Sequence, residues 1–141
     1  MNIVIVIPTY NEAENIDRLL GILLEESKQI AGHQLHVLVV DGSSTDGTAK
    51  IVRGFMVGHP QIHLIEKEKG GLGADYVFGM VYAMRELKAD AVIEMDADFQ
   101  HDPKDIKRFV AQLDAGYDYV IGSRYVEGGS KIGRASCRER V

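Results

Sequence analysis

Short apolar runs rich in β-branched residues alternate along this chain with longer amphipathic stretches. Residues 2–7, 35–40, 62–65, 91–95 and 119–121 predict strands, several of them apolar on both faces, as strands inside a parallel sheet tend to be. Between the first two, Ile16, Leu19, Leu20 and Leu23 follow the i, i+3, i+4, i+7 spacing of a helix with one buried face. Asn11, three residues before Glu14, predicts the capping box of that helix. Residues 45–57 predict a second helix, stopped by Gly58, His59 and Pro60. A third places Ala74, Val77, Phe78, Val81 and Tyr82 on one buried side. Asp102 before Pro103 opens a fourth, with Ile106, Phe109, Val110 and Leu113 turned inward.

Strand–helix alternation of this kind predicts an α/β chain whose open, mostly parallel sheet carries helices on both faces. Such sheets bind ligands at the carboxyl ends of their strands, near the point where strand order reverses. The loops beginning near Pro8, Asp41, Asp96 and Gly122 are therefore where chemistry is expected.

Composition narrows the field. With 45% hydrophobic and 26% charged residues over 141 positions, the chain suits a single soluble domain. A net charge of −5 gives no nucleic-acid footprint. The lone Cys137 cannot make an internal disulfide. No apolar run approaches the roughly 20 residues of a membrane span, and the chain opens directly on a strand pattern without a signal-peptide pattern. The expected location is cytoplasmic. Residues 131–141 (KIGRASCRERV) look like a translated sequencing adapter and are read as a non-native tail, so that 1–130 is the credible domain, expected to be incomplete at its C-terminus.

The candidate chemistry lies in the predicted loops. After the first strand, Tyr10 can pack on a base and Glu12 can accept from ribose or base donors; an ordinary helix start explains the same residues. After the second, Asp41 at a strand tip can accept from a base or ribose, though a turn rich in Ser, Asp and Gly reads equally well. The strongest local signal follows the fourth strand. Asp96 and Asp98, two apart in an extended segment, project to the same side, and Gln100 continues the series if the chain stays extended. Two carboxylates and an amide oxygen form a hard partial shell suited to Mg²⁺ or Mn²⁺, the rest filled by diphosphate oxygens and water. A solvated acidic turn is the competing reading. Residues 69–73 (KGGLG) can cradle phosphate or serve as a plain connection. Arg124, after the fifth strand, can pair with phosphate. The first loop lacks the glycine fingerprint of dinucleotide oxidoreductases.

The order of these pieces is far more specific than any one of them. Residues 7–16 (IPTYNEAENI), 39–48 (VVDGSSTDGT), 69–80 (KGGLGADYVFGM), 94–103 (EMDADFQHDP) and 121–129 (IGSRYVEGG) together resemble the family 2 glycosyltransferases, and within them the polyprenyl-phosphate mannose synthases. The resemblance implies a GT-A type, Rossmann-like fold, a nucleotide-diphosphate-sugar donor (GDP-mannose favoured), Mg²⁺ or Mn²⁺, and a polyprenyl phosphate acceptor met at the inner face of the membrane. It implies nucleoside contacts at Pro8, Tyr10, Glu12 and Asp41, metal-binding carboxylates at Asp96 and Asp98, and a further ligand at Gln100. It also implies a backbone contact near the ribose at Ala97 and a donor-phosphate contact at Arg124. Two positions depart from the pattern: Gly42 stands where many relatives carry a second aspartate, and Asp75 occupies a usually small, apolar position. A UDP-sugar transferase acting on a saccharide or other lipid, and a non-catalytic nucleotide-binding fragment, are the alternatives.

Overall fold

A computed structural model of the chain describes residues 1–123 and 125. Four strands, β1 (Asn2–Thr9), β2 (Gln34–Asp41), β3 (Ile62–Glu66) and β4 (Ala91–Glu94), form one parallel sheet in the order β3-β2-β1-β4. The helices are α1 (Ala13–Ser27), α2 (Thr48–Met56), α3 (Leu72–Arg85) and α4 (Ile106–Asp114), the last entered through a 3₁₀ turn at Pro103–Asp105.

The topology explains the layering. From β1 to β2 to β3 the chain steps one way across the sheet; from β3 to β4 it steps back past β1. Right-handed crossovers then put α1 and α2 on one face and α3 on the other. The alternating side chains of β1 feed both layers. Ile3, Ile5 and Ile7 pack with Ile16, Leu19, Leu20 and Leu23 of α1, Val52 of α2, and Ile106 and Val110 of α4. Val4 and Val6 pack with Leu38, Val40, and Tyr76 and Ala83 of α3. The expected α/β sheet with helices on both faces is the observed one, and the inward faces of α1 and α4 fall where the periodicity placed them.

Three expectations are corrected. Residues 119–121 are not a strand; Tyr119 and Ile121 lie exposed. A strand needs a ladder, and β4, the edge beside which it would lie, pairs only with β1 among the described residues. The face of α3 is also different: Ala74, Val77, Phe78 and Val81 point outward, while Asp75, Tyr76, Gly79 and Ala83 are buried. Gly79 decides this, because a Cβ there would stand 2.4 Å from Val6 Cγ1 and 3.0 Å from Val40 Cγ2. Only a bare glycine lets the helix lie this close to the sheet, and close seating outweighs the apolar stripe. Finally, Asn11 does not cap α1. It adopts a positive φ of 53°, and its Oδ1 accepts from the backbone N–H of Thr45 at 2.9 Å.

Candidate functional site

The strand order reverses between β1 and β4, so the crevice beyond their carboxyl ends is the position where such sheets take ligands. Its walls are the loops after β1, β2, β3 and β4.

The first two loops are stitched into one unit. Pro8 stands one residue before the end of β1, where pairing to β4 has already stopped, so its missing N–H leaves no gap in the ladder. Thr9 and Asp41 are register partners, and the Thr9 hydroxyl donates to Asp41 Oδ1 at 2.8 Å. Ser44 donates its hydroxyl to the same oxygen at 2.6 Å and its backbone N–H to Oδ2 at 2.9 Å. Asp41 is 1% exposed, so its first role is to fold its own turn. From the far side of that turn, Asp46 Oδ2 accepts from Ala13 N–H at 3.0 Å and Thr48 Oγ1 accepts from Glu12 N–H at 3.0 Å. The free N–H groups of the α1 terminus are thus satisfied from a neighbouring loop. Its bonds to Thr48 and Ala13 hold the Asp46 carboxyl below its ordinary value.

Tyr10 presents an exposed ring beyond β1, and the Lys69 ammonium lies 3.5 Å from its centroid. Glu12 Oε2 accepts from Asn15 Nδ2 at 3.1 Å. Lys69 also accounts for the departure at Gly42: a Cβ at position 42 would stand 3.3 Å from Lys69 Cβ. Any side chain at position 42 would thus start in tight contact with Lys69. The other departure, Asp75, is paired with Lys67 at 2.6 Å (Nζ to Oδ1), which anchors the first turn of α3 to the exit of β3.

Just past β4 burial alternates: Met95 and Ala97 are buried, Asp96 is half-buried and Asp98 is exposed. The extended run expected through Asp98 stops earlier: residues 97 and 98 already lie in a turn, and Phe99 takes a φ of 62°. Gln100 meets Asp98 through its backbone, its N–H donating to Asp98 Oδ1 at 3.0 Å. Arg124 lies outside the described residues, as do residues 126–141.

Two neighbours of this acidic tip escaped the sequence reading. Tyr76 donates its hydroxyl to Asp96 Oδ1 at 2.7 Å. Burial pushes that phenol far above its ordinary range, the Asp96 bond adds to this, and the charges of Asp96, Glu94 and Asp98 act in the same direction. His101 accepts the Asp96 backbone N–H on Nδ1 at 3.0 Å, which puts its ring proton on Nε2, 3.8 Å from Asp96 Oδ2. Neither residue carries a sequence signal, since one lies 20 positions upstream and the other follows a turn. Among the described residues no group of three or more His, Cys, Asp or Glu side chains gathers as a complete metal cage. Two carboxylates at one tip, with no Lys or Arg of the described residues within ion-pair distance, suit a hard divalent cation that keeps other positions for phosphate oxygens and water.

The sequence pattern of Glycosyl transferase family 2 matches residues 4–138, and the chain belongs to this family. It is 38% identical over 128 residues to the polyprenol monophosphomannose synthase of Mycolicibacterium smegmatis, covering 89% of this chain and 46% of that protein. It is 34% identical to the undecaprenyl-phosphate mannosyltransferase of Micrococcus luteus, covering 100% of this chain and 56% of that one. The chain therefore spans about half the length of these relatives. Among solved structures, a mannosyltransferase of Pyrobaculum calidifontis in complex with GDP-Man and Mn²⁺ is similar at a TM-score of 0.57 and 32% identity, over 73% of this chain and 29% of that one. The GT-A type architecture expected from the sequence is the architecture of these structural relatives.

Proposed function

We propose that this family 2 chain carries the donor-binding half of an inverting glycosyltransferase that moves mannose from GDP-mannose to a polyprenyl phosphate. The observation that carries the reading is the acidic tip of β4, with Asp96 and Asp98 at the reversal of strand order. The names of the relatives supply the sugar and the lipid.

The chemistry fits the residues present. Asp96 and Asp98, with Gln100 in support, would hold Mg²⁺ or Mn²⁺, which when bound neutralises the charge gathering on the departing diphosphate. Tyr10 offers a ring face to the base, Glu12 and the remaining acceptor capacity of Asp41 serve base or ribose donors, and the Ala97 backbone lies beside the ribose. Pro8 fixes the exit of that loop. Arg124 is assigned to the donor phosphates. A polyprenyl phosphate is anionic at neutral pH and attacks as its own nucleophile, so the reaction needs no protein general base. In-line attack on the anomeric carbon breaks the sugar–diphosphate bond from the opposite face and inverts the centre. The acceptor places this work at a membrane surface; among the described residues no helix is long and apolar enough to cross one.

The test is a transfer assay from labelled GDP-mannose to polyprenyl phosphate, with GDP and UDP as competitors. Mannosyl-lipid formation, blocked by GDP and lost in Asp98→Asn, is expected. Preferential competition by UDP would favour a UDP-sugar enzyme, and undiminished transfer by Asp98→Asn would end the metal assignment.

A further inference from the structure

We infer that Tyr76 is a positioning residue, which holds the Asp96 carboxylate in the orientation that meets the donor-site cation. This rests on the metal-binding reading of Asp96 and Asp98 proposed above.

Asp96 lies just beyond the last ladder bond of β4, in which Met95 N–H donates to Val6 at 3.1 Å. Its carboxylate therefore has two soft torsions and no strand neighbour to fix them. Tyr76 supplies the missing restraint by loading Oδ1 at 2.7 Å. The other oxygen, Oδ2, lies 3.8 Å from His101 Nε2, beyond hydrogen-bond range, and keeps its lone pairs for a ligand. A neutral phenol suits this role, because it orients the carboxylate without the positive charge by which lysine or arginine would compete with a divalent cation.

The phenol is itself held from three sides. Tyr76 is 9% exposed and packs with Val4, Val6, Leu38, Val40 and Ala83. One turn on, Gly79 seats α3 directly against Val6. One residue before it, Asp75 is pinned by Lys67 at 2.6 Å. The loop after β3 and the tip of β4 are thus joined through the first turn of α3, and Tyr76 is where that turn touches the acidic pair.

The experiment measures two affinities on the full 141-residue chain as wild type, Tyr76→Phe and Asp98→Asn. Mn²⁺ binding in the presence of GDP is followed by the paramagnetic resonance of free Mn²⁺, and GDP binding without metal is followed by calorimetry. Tyr76→Phe keeps the packed ring and removes only the donor. We expect its Mn²⁺ affinity to fall about tenfold or more, with metal-free GDP affinity unchanged. Full Mn²⁺ affinity in Tyr76→Phe, or parallel loss of both affinities, overturns the inference while the loss of Mn²⁺ by Asp98→Asn upholds the metal reading. Retention of Mn²⁺ by Asp98→Asn overturns both. If Tyr76→Phe does not fold, the wild-type chain labelled with 3-fluorotyrosine decides. A Tyr76 fluorine resonance that moves on adding Mg²⁺ with GDP supports the role, and an unmoved one refutes it.

Discussion

Asp46 Oδ2 accepts the backbone N–H of Ala13 at 3.0 Å, so the first turn of α1 is closed by a residue 33 positions downstream. The same carboxylate takes the backbone N–H and hydroxyl of Thr48 on Oδ1. Asp46→Ala should therefore loosen two loops of the donor edge together. Thermal unfolding is expected at a lower temperature, with nucleotide binding weakened in step. The acid side adds a sign: the folded carboxyl titrates below its ordinary value of 3.8. Its contribution is complete above that value and disappears as pH falls through the lower folded value. Melting curves taken downward from neutral pH should converge for the wild type and Asp46→Ala.

The seat of α3 gives a second prediction. Gly79→Ala drives a methyl to within 2.4 Å of Val6, so helix and sheet must part. A loss of about 1–3 kcal/mol in urea unfolding is expected. A neutral result would mean that α3 does not lie this close.

Lys67 and Asp75 form a pair in which the aspartate side chain is 7% exposed and the lysine 24%. Lys67→Met alone leaves a buried carboxylate without its cation and should cost about 3 kcal/mol. Lys67→Met with Asp75→Leu should regain most of that loss, since two apolar groups replace a pair that was expensive to bury. Urea midpoints of the single and double variants check this; a double variant no better than the single would show that the pair is more than a matched burial.

On the α3 face of the sheet, His36 Nδ1 and His63 Nε2 meet at 3.1 Å across β2 and β3, their rings stacked 5.3 Å apart. Burial lowers both below the ordinary 6.5, and the charge of His36 lowers His63 further. Below 6.5 the unfolded chain takes up protons that the folded chain refuses, so stability is full above that value and declines as pH falls toward the folded values. His63→Leu should flatten this dependence in melts between about pH 5 and 8. Equal slopes for both proteins would count against the pair.

Local pattern made much of the fold legible. The leucine spacing of α1, the Asp102–Pro103 start before α4 and the first four apolar runs each carry their own period, and those elements formed where the period lies. Asp96 and Asp98 stood out as a spacing at the end of an apolar run, but the turn at residues 97 and 98 was not legible in that spacing. The face of α3 was not readable. Its apolar residues outline one side, while the glycine that fixes the other reveals its role only when Val6 stands opposite. The strand read at 119–121 failed on the same principle: β-branched residues favour extension, but a ladder needs a neighbour.

The sequence alone determined the alternation of strands and helices and the inward sides of α1 and α4, since these follow from periods of about 2 and 3.6 along one chain. Only the tertiary structure decided that Asp46 closes α1, that Lys69 lies beside Gly42, and that Tyr76 reaches Asp96. Those contacts join residues 20 to 33 positions apart, and no local period encodes which distant group will satisfy a buried donor or acceptor.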